Sequence, residues 1–189
     1  MSLPTHILTV VTQDQIGIIA GIAGVLDEAD VRLMELSQTV VRDYFTIILA
    51  ISLPKGGDTQ TLSTNIRQRI GSNVAVTLVR YEPTGQSPQE GERYVLTATG
   101  IDHPGIVHTI TGIIAEYGGN ITDLSTRVVD NYLSMIAEIV VPAELLLDQL
   151  QSALQSAGAK IELKLRLQHN RLFIATNEIA FRRVIHGTR

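Results

Sequence analysis

The sequence predicts an α+β protein made of two βαββαβ sandwiches, each an antiparallel four-stranded sheet with two helices. Three observations predict it. The chain repeats itself at a constant offset of 88 residues, without a gap from Leu8 to Pro54. Within each copy the apolar period alternates between that of a strand and that of a helix, in the order βαββαβ. A stretch rich in Pro, Gly and Gln separates the copies.

Each element of the first copy is readable in turn. "HILTVV" from His6 is short, β-branched and apolar, as a buried strand requires. Ile18, Ile22, Val25, Leu26 and Ala29 then form one stripe of an amphipathic helix. "RLMELSQTVV" and "YFTIILAISL" flank Arg42 and Asp43, which predicts two strands joined by a tight hairpin. Asp58 to Ile70 predicts a second helix, with Asp58 or Thr59 as its cap and Gly71 as its stop. "VAVTLVRY" is the fourth strand.

The second copy repeats this order through Asp14/Asp102, Gly17/Gly105, Ile22/Ile110, Leu36/Leu124, Tyr44/Tyr132 and Pro54/Pro142. Its hairpin is expected at Asn131 and Tyr132. In "KIELKLRLQ", Ile161, Leu163, Leu165 and Leu167 alternate with Lys160, Glu162, Lys164 and Arg166, so one face meets helices and the other does not. The predicted organisation is a first domain at 5–82, a linker at 83–92 and a second domain at 93–168. A C-terminal extension at 169–189 is expected to form a helix packed on the second domain. Gly24 and Gly112 stand inside helices, at a cost of ~1 kcal/mol each relative to Ala, which suggests close helix packing. Two βαββαβ units describe a ferredoxin-like fold; that fold hosts many functions, so function has to be argued from a site.

Composition narrows the classes. Cys is absent, which excludes disulfides, CxxC metal sites and thiol chemistry. No targeting segment and no long apolar run is visible, so a cytoplasmic protein is expected, with no membrane contact. The net charge is −4, and four arginines against one glutamate in the tail leave −7 for the rest. Broad binding to a phosphate backbone is therefore not expected. Aromatics make up 4% of residues, and Tyr44 and Phe45 point to opposite faces of one strand, so base stacking on the sheet is not expected either. His103 and His108 are five apart and do not share a helix face as a metal pair would. No phosphate loop or nucleophile-elbow motif occurs. No enzyme, cofactor or metal is expected.

What remains is the corner where the first strand of each copy meets its helix. A helix N-terminus leaves backbone N–H groups unpaired and carries partial positive charge. Glycine lets a ligand approach that backbone closely. At Gly17 and Gly105 such a corner could hold a carboxylate, while Asp14 or Asp102 supplies an acceptor for an ammonium group. The alternative is that the aspartates only cap the helix and the glycines only let the chain turn.

These residues resemble a known family. Asp-x-x-Gly-Ile-(Ile/Val), the following helix and "GGNI" at Gly118 to Ile121 look like the ACT domain, a regulatory module that binds small molecules. "LSQTVVRDYFT" and "LFIATNEI" are similar to small stand-alone bacterial ACT proteins, and the tandem layout resembles the glycine cleavage repressor group. The resemblance implies sheet order 4-1-3-2, pairing of ACT units, and amino-acid effectors bound between them. It implies a ligand-binding set of Asp102, His103, Pro104, Gly105, Ile106, Val107, Asn120 and Ile121, with Asp14, Gly17, Ile18 and Ile19 in the first copy. The first copy departs from the pattern, with Ile16 for Pro104 and Arg32–Leu33 for Asn120–Ile121. Arg32 could grip a carboxylate or pair with Asp30. The expected function is amino-acid-dependent regulation through a homodimer and a protein partner. The alternative is a purely structural module that assembles through sheet edges without a small ligand.

Overall fold

A computed structural model describes residues 5–71, 73–83, 91–143, 145 and 147–176. The chain divides into two compact units, Met1–Gly85 and Gln86–Arg189. The first unit runs β1 (His6–Gln13), α1 (Ile18–Glu28), β2 (Arg32–Val41), β3 (Tyr44–Ser52), α2 (Thr59–Ile70) and β4 (Val74–Arg80). The second repeats the order as β5 (Glu92–Ile101), α3 (Ile106–Glu116), β6 (Asn120–Val129), β7 (Tyr132–Val141), α4 (Leu147–Lys160) and β8 (Leu163–His169). The sheets are ordered β2-β3-β1-β4 and β6-β7-β5-β8, with every pairing antiparallel. This is the predicted order 4-1-3-2, read from the other edge.

Each unit buries its own core between one sheet face and two helices. In the first, Leu8, Val10, Ile47, Leu49 and Ile51 meet Ile18, Ile22, Val25, Leu62 and Ile66. In the second, Leu96, Ala98, Met135, Ala137 and Ile139 meet Ile106, Ile110, Ile114, Leu150 and Leu154. Asp58 caps α2, its carboxylate accepting from the amides of Gln60 and Thr61 and from the Thr61 hydroxyl. Those bonds favour the charged form and hold the carboxyl below its ordinary value.

Several sequence expectations are corrected here. The second hairpin is Asp130–Asn131, both at positive φ, and Tyr132 already opens β7. Lys160 ends α4, and Ile161 and Glu162 form a turn, so the alternating strand starts at Leu163. At Gly24 a Cβ would lie 3.2 Å from the Arg69 guanidinium, but at Gly112 it would meet nothing within 4 Å. Close helix packing therefore does not explain Gly112. The offset of 88 also fails at the last strand: His6 faces Arg80 across β1–β4, whereas Tyr94 faces His169 across β5–β8, a shift of one residue. Opposite Leu163 sits Gly100, where an added Cβ would lie 2.5 Å from a Leu163 methyl. The linker at 83–92 and the tail at 169–189 lie largely outside the described residues. Residues 170–176 are helical, with Leu172 and Ile174 exposed and Phe173 half-buried.

Tyr94 joins two of these strands. Its hydroxyl donates to Glu92 Oε2 at 2.5 Å, and its ring meets that of His169 edge-on at a centroid distance of 5.3 Å. Burial, then the hydrogen bond and charge of Glu92, push the Tyr94 phenol up to about 12. An unfolded tyrosine ionises near 10. The folded state thus keeps this contribution below pH ~10 and loses it as the pH rises through about 12. A phenolate absorbance titration is expected to show one late tyrosine, which Glu92→Gln moves back toward the ordinary value.

Candidate functional site

The corner between strand and helix is built alike in both units. Gly17 and Gly105 have φ of 94° and 93°, a left-handed conformation that a residue with a Cβ adopts only under strain. The first bonds inside the helices run from Gly21 N to the Gly17 carbonyl and from Thr109 N to the Gly105 carbonyl. The amides of Ile18, Ile19 and Ala20, and of Ile106, Val107 and His108, precede those bonds and have no helical acceptor. No side chain caps either helix. The capping alternative for Asp14 and Asp102 therefore does not describe this geometry. Both aspartates instead donate their main-chain N–H to the adjacent hairpin, at Asp43 O (2.8 Å) and Asn131 O (2.9 Å). A Cβ placed on Gly17 or Gly105 would meet nothing within 4 Å, so both corners face open space.

The neighbouring side chains divide by role. Ile18 and Ile106 are buried and belong to the cores, whereas Ile19 and Val107 are exposed beside the corners. Pro104 is exposed, and its counterpart Ile16 is fully so. His103 is half-buried and engaged with its own unit. Its Nδ1 lies 3.1 Å from the Pro104 carbonyl and its Nε2 lies 3.3 Å from the Ile161 carbonyl. The ring thus straps the Gly105 loop to the turn before β8, a structural use that sequence reasoning did not anticipate. Arg32 forms no ion pair with Asp30 among the described residues.

Asn120 and Ile121 are not brought to this corner within one unit. Asn120 faces Val140, which in turn faces Arg93, at the far end of β5. Gly105 follows Ile101, at the other end. About eight residues of strand separate those rows, roughly 26 Å. Asn120 is exposed, whereas Ile121 packs against the core. A ligand that touches both the Gly105 amides and Asn120 needs Asn120 from another unit.

The edge strands show where another unit could come from. Every residue of β2 is exposed, and so is every residue of β6 except Ile121. Leu33, Leu36, Val40 and Val41 on β2, and Leu124, Val128 and Val129 on β6, are each 38–65% exposed. These strands overhang their helices, leaving apolar side chains and an unpaired row of backbone groups at the sheet edge. Among the described residues no cluster of His, Asp and Glu could hold a metal ion, and no helix is long and apolar enough to cross a membrane.

Comparison with known proteins matches this architecture. A family model described as the ACT domain matches residues 5–76 and again 92–168. A UPF0237 protein of Methanococcus maripaludis is 31% identical over 84 residues, covering 43% of this chain and 92% of its own length. One from Methanopyrus kandleri is 31% identical over 88 residues, covering 46% and 98%. Two solved structures span nearly the whole chain. An unknown protein from Galdieria sulphuraria has a TM-score of 0.73 at 18% identity, covering 89% of this chain and 99% of its own. A structure assigned to a glycine cleavage system transcriptional repressor has a TM-score of 0.67 at 20% identity, covering 88% and 98%.

Proposed function

The chain belongs to the ACT domain family, and from that premise we propose that it senses an amino acid, held between paired ACT units, and passes the signal to a protein partner. One observation carries the reading: two open glycine corners, uncapped by any side chain, each present free helix-end amides beside an aspartate. The amides suit an α-carboxylate, and Asp102 suits the α-ammonium. Asn120 completes the polar set with one donor and one acceptor.

Its distance from Gly105 sets the geometry of the assembly. If β6 pairs antiparallel with β6 of a second chain, the partner's Asn120 end falls beside Val129, next to the hairpin that holds Asp102. Two copies of the site form in each homodimer, and binding favours the paired state. The first copy's corner, with Ile16 and Arg32, departs from the family pattern and is proposed as the weaker site. The protein is proposed to act in the cytoplasm, on amino-acid metabolism, and without direct contact with nucleic acid.

Calorimetric titration with the twenty amino acids tests this reading. One or a few are expected to give saturable heat, weakened at least about ten-fold by Asn120→Ala, which removes a polar contact from an exposed position. Gly105→Val is expected to abolish it, because a β-branched residue cannot hold φ near +93° without shifting the loop. Heat that survives both substitutions would place the site elsewhere. No heat with any amino acid would favour assembly without a ligand.

A further inference from the structure

The first unit carries a cavity of about 500 Å³ at the end of the sheet opposite Gly17, lined among others by Thr5, His6, Leu53, Pro54, Arg80 and Tyr81. We infer that it binds a small organic carboxylate that has an apolar body and no ammonium group, such as a branched or aromatic 2-oxo acid. This reading concerns a different site from the glycine corners and stands apart from the function proposed above.

Its frame is built from strand hydrogen bonds. Thr5 N donates to the Ile51 carbonyl, and Tyr81 N donates to the Thr5 carbonyl, both at 2.8 Å. The Leu53 amide donates to the Thr5 hydroxyl at 3.0 Å. His6 Nδ1 lies 2.9 Å from that same hydroxyl, which orients the ring and leaves its outer nitrogen free of any bond among the described residues. His6 and Arg80 face each other across β1–β4. The Arg80 side chain is exposed and has no hydrogen bond or ion pair among the described residues.

Two nitrogen-bearing side chains on neighbouring strands thus converge on one cavity whose lining, among the described residues, holds no carboxylate. The guanidinium matches a carboxylate in a bidentate fork. Leu53, Pro54 and Tyr81 offer apolar surface to the rest of the molecule, and the volume suits a small metabolite. An amino acid would bring an ammonium group that no acidic side chain among the described lining residues can meet, so the cavity selects against it.

The second unit places different side chains at the equivalent positions. Tyr94 stands in the place of His6 and is 8% exposed. His169 takes the strand position of Arg80 and packs edge-on against the Tyr94 ring. Leu145, at the position of Gly57, lies against the core. One copy of the repeat places a packed aromatic pair at these positions, and the other places a histidine, and an arginine side chain without a partner among the described residues.

The test is a nitrogen-15 NMR titration of the full chain with 4-methyl-2-oxopentanoate, and in parallel with leucine, which has the same carbon skeleton. The oxo acid is expected to shift the amides of Thr5, His6, Tyr81 and their strand neighbours saturably, with leucine at least about ten-fold weaker. Arg80→Gln, an exposed change that keeps the side chain's length, is expected to weaken the oxo acid at least about ten-fold. His169→Gln is expected to leave it unchanged. No saturable shift up to about 10 mM, shifts centred on Gly17 or Gly105, equal binding of leucine, or binding that survives Arg80→Gln would each overturn the inference.

Discussion

Ile110→Ala is expected to destabilise the second unit by about 2–5 kcal/mol, the range for removing a fully enclosed branched side chain and leaving a cavity. Ile110 is 0% exposed in the centre of α3, packed among side chains of the sheet and of α4. Ile136 is also an isoleucine of the second unit, but it points to the open sheet face and is 44% exposed. Its replacement by alanine is expected to cost less than about 1 kcal/mol. Urea denaturation followed by circular dichroism measures both. A small loss at Ile110 would contradict the core as described. A large loss at Ile136 would show that the open face is covered in solution.

The second large effect concerns assembly. Leu124→Lys and Val128→Lys together place two charges on an edge strand that is proposed to meet a copy of itself. Charges enclosed there would face like charges from the partner and lose water without gaining a counterion. The dimer dissociation constant is expected to rise at least about 100-fold, equivalent to ~2.7 kcal/mol, as read by sedimentation at several concentrations. The fold of each chain should persist, because both positions are already exposed in the unit. Amino-acid binding is expected to fall with the dimer, since Asn120 and the Gly105 corner are proposed to meet only across it. A dimer that survives both lysines would move the interface to another edge. Binding retained by a lysine-bearing monomer would confine the ligand to one unit.

How much of this was legible in the residues depended on whether local or distant forces decided it. The repeat and the element order follow from local periods and from burying one face of each strand, and both were legible in the residues; the sheet order came only with the resemblance to the ACT domain. The Gly17 and Gly105 turns are local too, because the left-handed conformation is a property of one residue. The second hairpin shifted by one position because Asp130 and Asn131 both tolerate positive φ while Tyr132 is better placed in the strand. The extra residue before β8 lies at the end of α4, where no strong stop signal marks the boundary, and a helix end is set by tertiary contacts there.

The site was less legible for a geometrical reason. Asp102, Gly105 and Asn120 lie close in sequence, but α3 carries the chain about 16 Å along the sheet between them. Proximity in the chain therefore became separation in space. The strap at His103 depends on a carbonyl 58 residues away, and no periodicity reports such a contact. The exposure of β2 and β6 was also hidden, because such a run reads as a strand whether or not a helix covers it. The cavity beside Arg80 needed the one-residue register difference between the copies, which a constant offset conceals.

Two halves with one topology face a hazard while the chain collapses: a strand from one can dock in the slot meant for its twin. Gly100 guards against that exchange in one direction. Its twin on β1 is Thr12, and the room a threonine needs is already taken by Leu163. The leading strand of the first half is thereby refused by the second, and misassembly is discouraged by a missing side chain.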